Sequence, residues 1–221
     1  MRADTVPGRG RAVAAGRVLG PLHVLTDHRL GDAMVPVATA AVVAGAPVLQ
    51  IRVKGWTDAE VLRIATELAA TCRIHGTTCI VNDRADIAVA AGADGVHLGA
   101  DDLPVEAARR VVGPDRLVGA TARDPGQARR LEASGADYIG VGPAFTTSTK
   151  AGLPAPLGTA AIAAIVAAVS VPVIAIGGID AERMGAIRAT GAAGAAMLGA
   201  VSAQADPGAA VVAALGAWGP A

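Results

Sequence analysis

An α/β fold, a single-domain (β/α)8 TIM barrel, is what this 221-residue sequence predicts, and three observations carry the prediction. Short β-branched runs recur at intervals of about 25 residues, the period of repeated strand–helix units. Ala-rich stretches with helical spacing separate them. The runs number eight, the count that closes a parallel sheet into a barrel. An open doubly wound sheet is the alternative architecture.

In chain order the predicted strands are Leu22–Thr26, Val48–Arg52, Thr78–Asn82, Gly95–Leu98, Leu117–Thr121, Tyr138–Gly142, Val173–Ile176 and Ala195–Leu198. Helical spacing covers Asp58–Cys72, Leu103–Val112, Pro125–Ser134, Thr159–Val169 and Ala181–Thr190. Thr57-Asp58-Ala59-Glu60 reads as a capping box, whose hydroxyl and carboxylate satisfy orphan amides at a helix start. Asp124-Pro125 and Asp180-Ala181 place an N-cap residue before the first helical position. Gly92-Ala93-Asp94, Gly135-Ala136-Asp137 and Gly191-Ala192-Ala193 each precede a strand, as a Gly-closed helix and short loop require.

Residues 1–20 carry four Arg and one Asp without a continuous apolar stretch. They read as a flexible basic N-terminal extension rather than a secretory signal, ahead of a barrel domain over 21–221. The apolar run 160–176 is interrupted by Ser170 and Pro172 and is shorter than the roughly 20 residues of a membrane span. Lys+Arg and Asp+Glu stand at 19 each, so no cationic excess is available to displace counterions from nucleic acid. Two Trp, one Tyr and one Phe are too few for a base-stacking platform. Small molecules are therefore the expected partners, with no nucleic acid and no membrane, and a homo-oligomer is left open. Cys72 and Cys79 have no further cysteines to complete a zinc site and read as buried thiols in a reducing cytoplasm.

In such a barrel the chemistry collects at the C-terminal strand ends. Gln50, Arg52 and Lys54 alternate there, so all three point the same way, which is costly unless they face a polar mouth. Asp83 and Asp102 each follow a strand end, and two converging carboxylates suit Mg²⁺ held together with substrate phosphates. Asp101 reads as a helix cap. Gly177-Gly178, with Thr147, Thr149 and Lys150 on the preceding loop, marks a phosphate site. His97 lies within a strand and reads as a satisfied interior residue rather than a ligand. Neither cysteine stands at a strand end beside a base, which argues against a thiol nucleophile.

These segments resemble the thiamine-phosphate synthase family. Gln50-Ile51-Arg52-Val53-Lys54 is similar to its Q-x-R-x-K, and Asn82-Asp83-Arg84-Ala85-Asp86 to its N-D-R-x-D. Gly95 to Asp102 is similar to G-V-H-L-G-Q-x-D, and Gly140 to Lys150 to G-x-G-P-x-F-x-T-x-T-K. Ala175 to Ile179 resembles the G-I-G-G-I segment. The resemblance implies a Mg²⁺-dependent transferase that joins a hydroxymethylpyrimidine diphosphate to a thiazole phosphate. By it, Asp83 and Asp102 hold the metal, while Arg52, Lys54, Asn82 and Lys150 surround the diphosphate. Gln50 faces the pyrimidine; Thr147, Thr149, Gly178 and Gly199 hold the thiazole phosphate.

Three departures stand out. Thr121 and Arg123 replace a family Ser and His, Thr146 replaces a Pro, and Gly199 replaces a Ser. Thr121 retains the hydroxyl and is expected to contact the diphosphate. A thiazole tautomerase relative shares the barrel, but Asn82-Asp83 is present and the His after strand five is absent, which favours the synthase. A non-catalytic barrel binding thiamine-related phosphates is the other alternative.

Overall fold

The structure is a computed structural model that describes residues 13–14, 17–147, 152 and 154–219. Eight parallel strands close into a barrel: β1 (Leu22–Leu25), β2 (Val48–Ile51), β3 (Thr78–Asn82), β4 (Gly95–Leu98), β5 (Leu117–Ala122), β6 (Tyr138–Val141), β7 (Val173–Ile176) and β8 (Gly194–Met197). Each strand pairs with its successor, and Ala195 opposite Leu22 closes the ring between β8 and β1. Predicted and observed strand ends differ by at most one residue.

Around the barrel run α1 (Met34–Val43), α2 (Asp58–His75), α3 (Ala85–Ala90), α4 (Val105–Val112), α5 (Pro125–Ala133), α6 (Gly158–Val166) and α7 (Met184–Ala189). A four-residue helix, α8 (Gly199–Ser202), precedes α9 (Pro207–Trp218). The longest, α2, shows the logic most plainly. Val61, Ile64, Ala65, Leu68, Ala69 and Cys72 are buried at helical spacing against β2 and β3. Thr57 and Glu60 form the reciprocal capping box, and Gly76, in the left-handed region at φ 69°, closes the other end. The cap of α4 is Pro104, so Asp101 does not cap it; Asp101 is an exposed residue on the rim of the mouth.

The Gly-Ala-Asp segments tie the strands at their starts. Gly92 and Gly135 supply positive φ at helix ends. The Asp94 carboxylate then accepts from the Cys79 N–H at 2.8 Å, and that of Asp137 from the Val118 N–H at 2.7 Å and Arg109 Nη2 at 2.5 Å. Both cysteines are buried thiols, and their mutual contact, with burial, pushes the Cys79 thiol well above its usual range. Among the described residues no helix is long and apolar enough to cross a membrane.

Strand alternation sorts side chains into two cores. Outward residues such as Leu49, Ile51, Val81 and Val96 pack beneath the helices. Inward residues at the strand starts, including Val48, Ile80, Leu117 and Tyr138, form a second cluster with Leu19. Most of the extension predicted over residues 1–20 lies outside the described residues. Within it, Val13–Ala14 pairs antiparallel with Arg17–Val18, and Leu19 is fully buried under the strand starts. Burial of that leucine contributes about 1.5–3 kcal/mol. Above the apolar layer the inward positions become polar: Gln50, Asn82, His97 and Thr121. That change of character along β2, β3, β4 and β5 makes the upper mouth a site.

Candidate active site

One cavity of about 1370 Å³ opens at the C-terminal strand ends. Gln50, Arg52 and Lys54 line its β2 side, and Asn82, Asp83 and Asp102 its β3–β4 side. Thr121, Thr147, Gly178 and Gly199 complete the wall. All the sequence-predicted site residues that are described thus meet in one space; Thr149 and Lys150 lie outside the described residues. A second, smaller cavity of about 460 Å³ lies between α1 and α2, beside Trp56, Arg63 and Glu67.

Local structure fixes the β2 side. The Thr26 hydroxyl donates to the Arg52 carbonyl at 3.0 Å and accepts from the Arg52 N–H at 2.8 Å, holding that residue where β2 ends. Lys54 Nζ pairs with the Asp83 carboxylate. Asp83 itself adopts φ 67°, the one positive value among the described residues other than glycine. The Arg84 N–H donates to the Asn82 carbonyl at 2.8 Å, closing a three-residue turn around Asp83. Such backbone strain gathers at functional sites, and it turns the carboxylate into the mouth. Arg84 and Asp86 of the same motif are structural. The Arg84 guanidinium bonds Asp58 at 2.5 and 3.2 Å and Asp86 at 2.9 and 2.7 Å, joining the starts of α2 and α3.

Asp102 accepts from the Gly99 N–H at 2.7 Å, and a Cβ at Gly99 would stand 2.9 Å from its Oδ2 and push the carboxylate aside. Burial, followed by its contact with the Asp83 carboxyl, raises the Asp102 pKa above the ordinary value. Two neighbouring carboxylates beside a lysine ammonium form a donor set suited to a hard cation. Among the described residues no group of three or more His, Cys, Asp or Glu converges, so a cation would rest on this pair and on substrate oxygens.

Across the mouth, Gly177 and Gly178 have φ of 97° and 65°. The Phe145 N–H donates to the Gly177 carbonyl at 3.0 Å, and the Arg183 guanidinium stacks 5.0 Å from the Phe145 ring centre. Arg123 donates to the Gly142 carbonyl at 2.7 Å and to the Ala155 carbonyl at 2.9 Å, so it braces both ends of the loop after β6. Deeper in the barrel His97 contacts Thr121 and Tyr138 at 3.0 Å each, as a satisfied interior histidine. Burial lowers its pKa to about 4. Tyr138 and His23 had not been singled out from the sequence as part of this region. The available signal was parity: the chain's one tyrosine points inward beside Gly119 and Gly140, which leave room for large rings.

Barrel and cavity together define a (β/α)8 enzyme whose mouth joins paired carboxylates, cationic side chains and glycine turns, the equipment of a barrel acting on phosphorylated substrates. The chain belongs to the thiamine monophosphate synthase family, which it matches over residues 22–201. It is 49% identical over 174 residues to the thiamine-phosphate synthase of Salinispora arenicola, covering 77% of this chain and 84% of that one. The thiamine-phosphate synthase of Chlorobium phaeobacteroides is 43% identical over 163 residues, 74% and 79% of the two chains. The solved thiamine phosphate pyrophosphorylase from Pyrococcus furiosus superposes with a TM-score of 0.82 at 33% identity, covering 90% of this chain and 95% of that one.

Proposed function

We propose that this chain is a thiamine-phosphate synthase that joins 4-amino-2-methyl-5-hydroxymethylpyrimidine diphosphate to a thiazole phosphate and releases diphosphate. The observation that carries this reading is the Asp83–Asp102 carboxylate pair beside Lys54 in a strand-end cavity. In the reaction the bond between the pyrimidine methylene carbon and the diphosphate oxygen breaks first, with the electron pair leaving on oxygen. The electron-rich aminopyrimidine stabilises the resulting cation, and the thiazole nitrogen closes the new carbon–nitrogen bond.

Asp83 and Asp102 are the residues that would hold Mg²⁺, which when bound supplies positive charge to the departing diphosphate. Arg52, Lys54 and Asn82 line the same side of the cavity, which supports assigning them to that diphosphate; Lys150, outside the described residues, is assigned to it by the family resemblance alone. Their task is electrostatic: charge placed where the leaving group develops it lowers the barrier without a general base. The weak basicity of His97, whose pKa burial lowers to about 4, fits a site that needs no general base. Gln50, 5% exposed at the end of β2, is assigned to the pyrimidine. Thr147, Gly178 and Gly199, which line the cavity where barrels of this class bind phosphate, are assigned to the thiazole phosphate, together with Thr149, which lies outside the described residues. The two buried thiols suit a reducing cytoplasm.

The test is incubation of the purified chain with both substrates and Mg²⁺. Thiamine phosphate and diphosphate formed in equal amounts support the reading. Isomerisation of the thiazole phosphate alone would assign the tautomerase reaction instead, and binding of both ligands without product would leave a non-catalytic barrel.

A further inference from the structure

The ring of His97 stands between two hydroxyls, with Nδ1 3.0 Å from Tyr138 Oη and Nε2 3.0 Å from Thr121 Oγ1. A neutral imidazole carries one N–H, so it donates to one hydroxyl and accepts from the other. If Nδ1 carried the proton, Tyr138 would accept and its own O–H would need a further acceptor. Among the described residues Tyr138 Oη makes no other hydrogen bond. The residue is 1% exposed and packed among Leu25, Val48, Ile80, Leu117 and Ile174. A buried donor left without an acceptor is the costly arrangement. With the proton on Nε2, every group is satisfied. Tyr138 donates to Nδ1, Nε2 donates to Thr121 Oγ1, and the Thr121 proton is left to point into the cavity that Thr121 lines.

We propose that Tyr138 and His97 are positioning residues that fix the Thr121 hydroxyl as a hydrogen-bond donor to the anion bound in the mouth. The inference rests on the synthase reading for the identity of that anion, the substrate diphosphate. Space for the relay is built into the neighbouring strands. A Cβ at Gly119 would stand 2.1 Å from Tyr138 Cζ, and one at Gly140 would stand 2.8 Å from His97 Cε1. Both His97 ring nitrogens are taken by neutral hydroxyls, and among the described residues no carboxylate is bonded to either.

Two measurements test it. In ¹⁵N spectra of histidine-labelled protein, with the His97 signals assigned by their loss in His97→Asn, Nε2 is expected to carry the proton and Nδ1 to be bare. The opposite tautomer overturns the proposal whether or not the protein is a synthase. The second is a double-mutant cycle on kcat. Thr121→Val removes a hydrogen bond to a charged group and is expected to cost about ten- to a hundredfold. Tyr138→Phe keeps the buried ring, removes only the hydroxyl, and is expected to cost about three- to tenfold by releasing the tautomer. In the Thr121→Val background the Tyr138→Phe effect is expected to fall below about twofold, because its target is gone. Equal losses in both backgrounds would make Tyr138 merely structural and overturn the proposal. Absence of turnover in wild type, with the expected tautomer present, would instead count against the synthase reading.

Discussion

The backbone N–H of Asp83 donates to the carbonyl of His97 at 2.8 Å, joining the residue that turns a carboxylate into the mouth to the one that orients a hydroxyl there. The bond holds Asp83 at φ 67°, a conformation that Asp and Asn tolerate and β-branched residues do not. Asp83→Asn is therefore expected to leave unfolding free energy within about 0.5 kcal/mol of wild type. Asp83→Val is expected to lose roughly 1–3 kcal/mol through strain. Urea unfolding of the two variants separates charge from backbone; equal stabilities would mean that the turn is unstrained.

Gly119 is the tightest constraint on the interior. Gly119→Ala would drive a methyl into the Tyr138 ring, in a layer packed with Leu117, Val48 and Leu19. Overpacking of this kind costs typically 1–3 kcal/mol. A lowered melting temperature with intact far-UV dichroism is the expected result, and an unchanged one would show that the ring has room to move.

Acid is expected to weaken the fold earlier than carboxylate chemistry alone would cause. Burial lowers both His23 and His97 to about 4, against an ordinary 6.5. Between those values the unfolded chain takes up protons that the folded chain refuses, so stability falls as pH drops from about 6.5 toward 4. The expected loss between pH 7.5 and 5 is roughly 2 kcal/mol per ring. Asp27 and Asp86, held low chiefly by Arg29 and Arg84 respectively, lose their contribution only further down, below the unfolded carboxylate value of about 4. Urea unfolding at the two pH values checks the sign, and equal stability would contradict it.

Arg123 braces the loop after β6 rather than adding a loose charge to the mouth, since its guanidinium bonds the carbonyls of Gly142 and Ala155. Arg123→Met keeps the aliphatic stem and removes both bonds. It is expected to raise KM for the thiazole phosphate about three- to tenfold through poorer positioning. A larger effect on the pyrimidine diphosphate would place the loop over the other substrate.

Much of this was legible because barrel strands are written as short apolar runs with punctuated ends. All eight strands, the Thr57 capping box and the grouping of Gln50, Arg52, Asp83 and Asp102 follow from alternation and strand-end position. Helices α1 and α3 were less visible. The first, Met34-Val35-Pro36-Val37-Ala38-Thr39-Ala40-Ala41-Val42-Val43, has no charged residue to mark a solvent face, and the second has six residues. Asp101 was misread as a cap because proximity to a helix start does not reveal which residue bonds its amides; Pro104 occupies that place. The Tyr138–His97–Thr121 relay joins β4, β5 and β6, and only the closed barrel shows those rings in contact.

The decisive measurement is thiamine phosphate formation as a function of free Mg²⁺ in wild type, Asp83→Asn and Asp102→Asn. Chelator is expected to abolish wild-type turnover and added Mg²⁺ to restore it. Each variant, having lost one carboxylate of the proposed pair, is expected to need at least about tenfold more Mg²⁺ for half-maximal rate. Undiminished turnover in chelator, or variants that saturate with Mg²⁺ as wild type does, would contradict a cation held by this carboxylate pair.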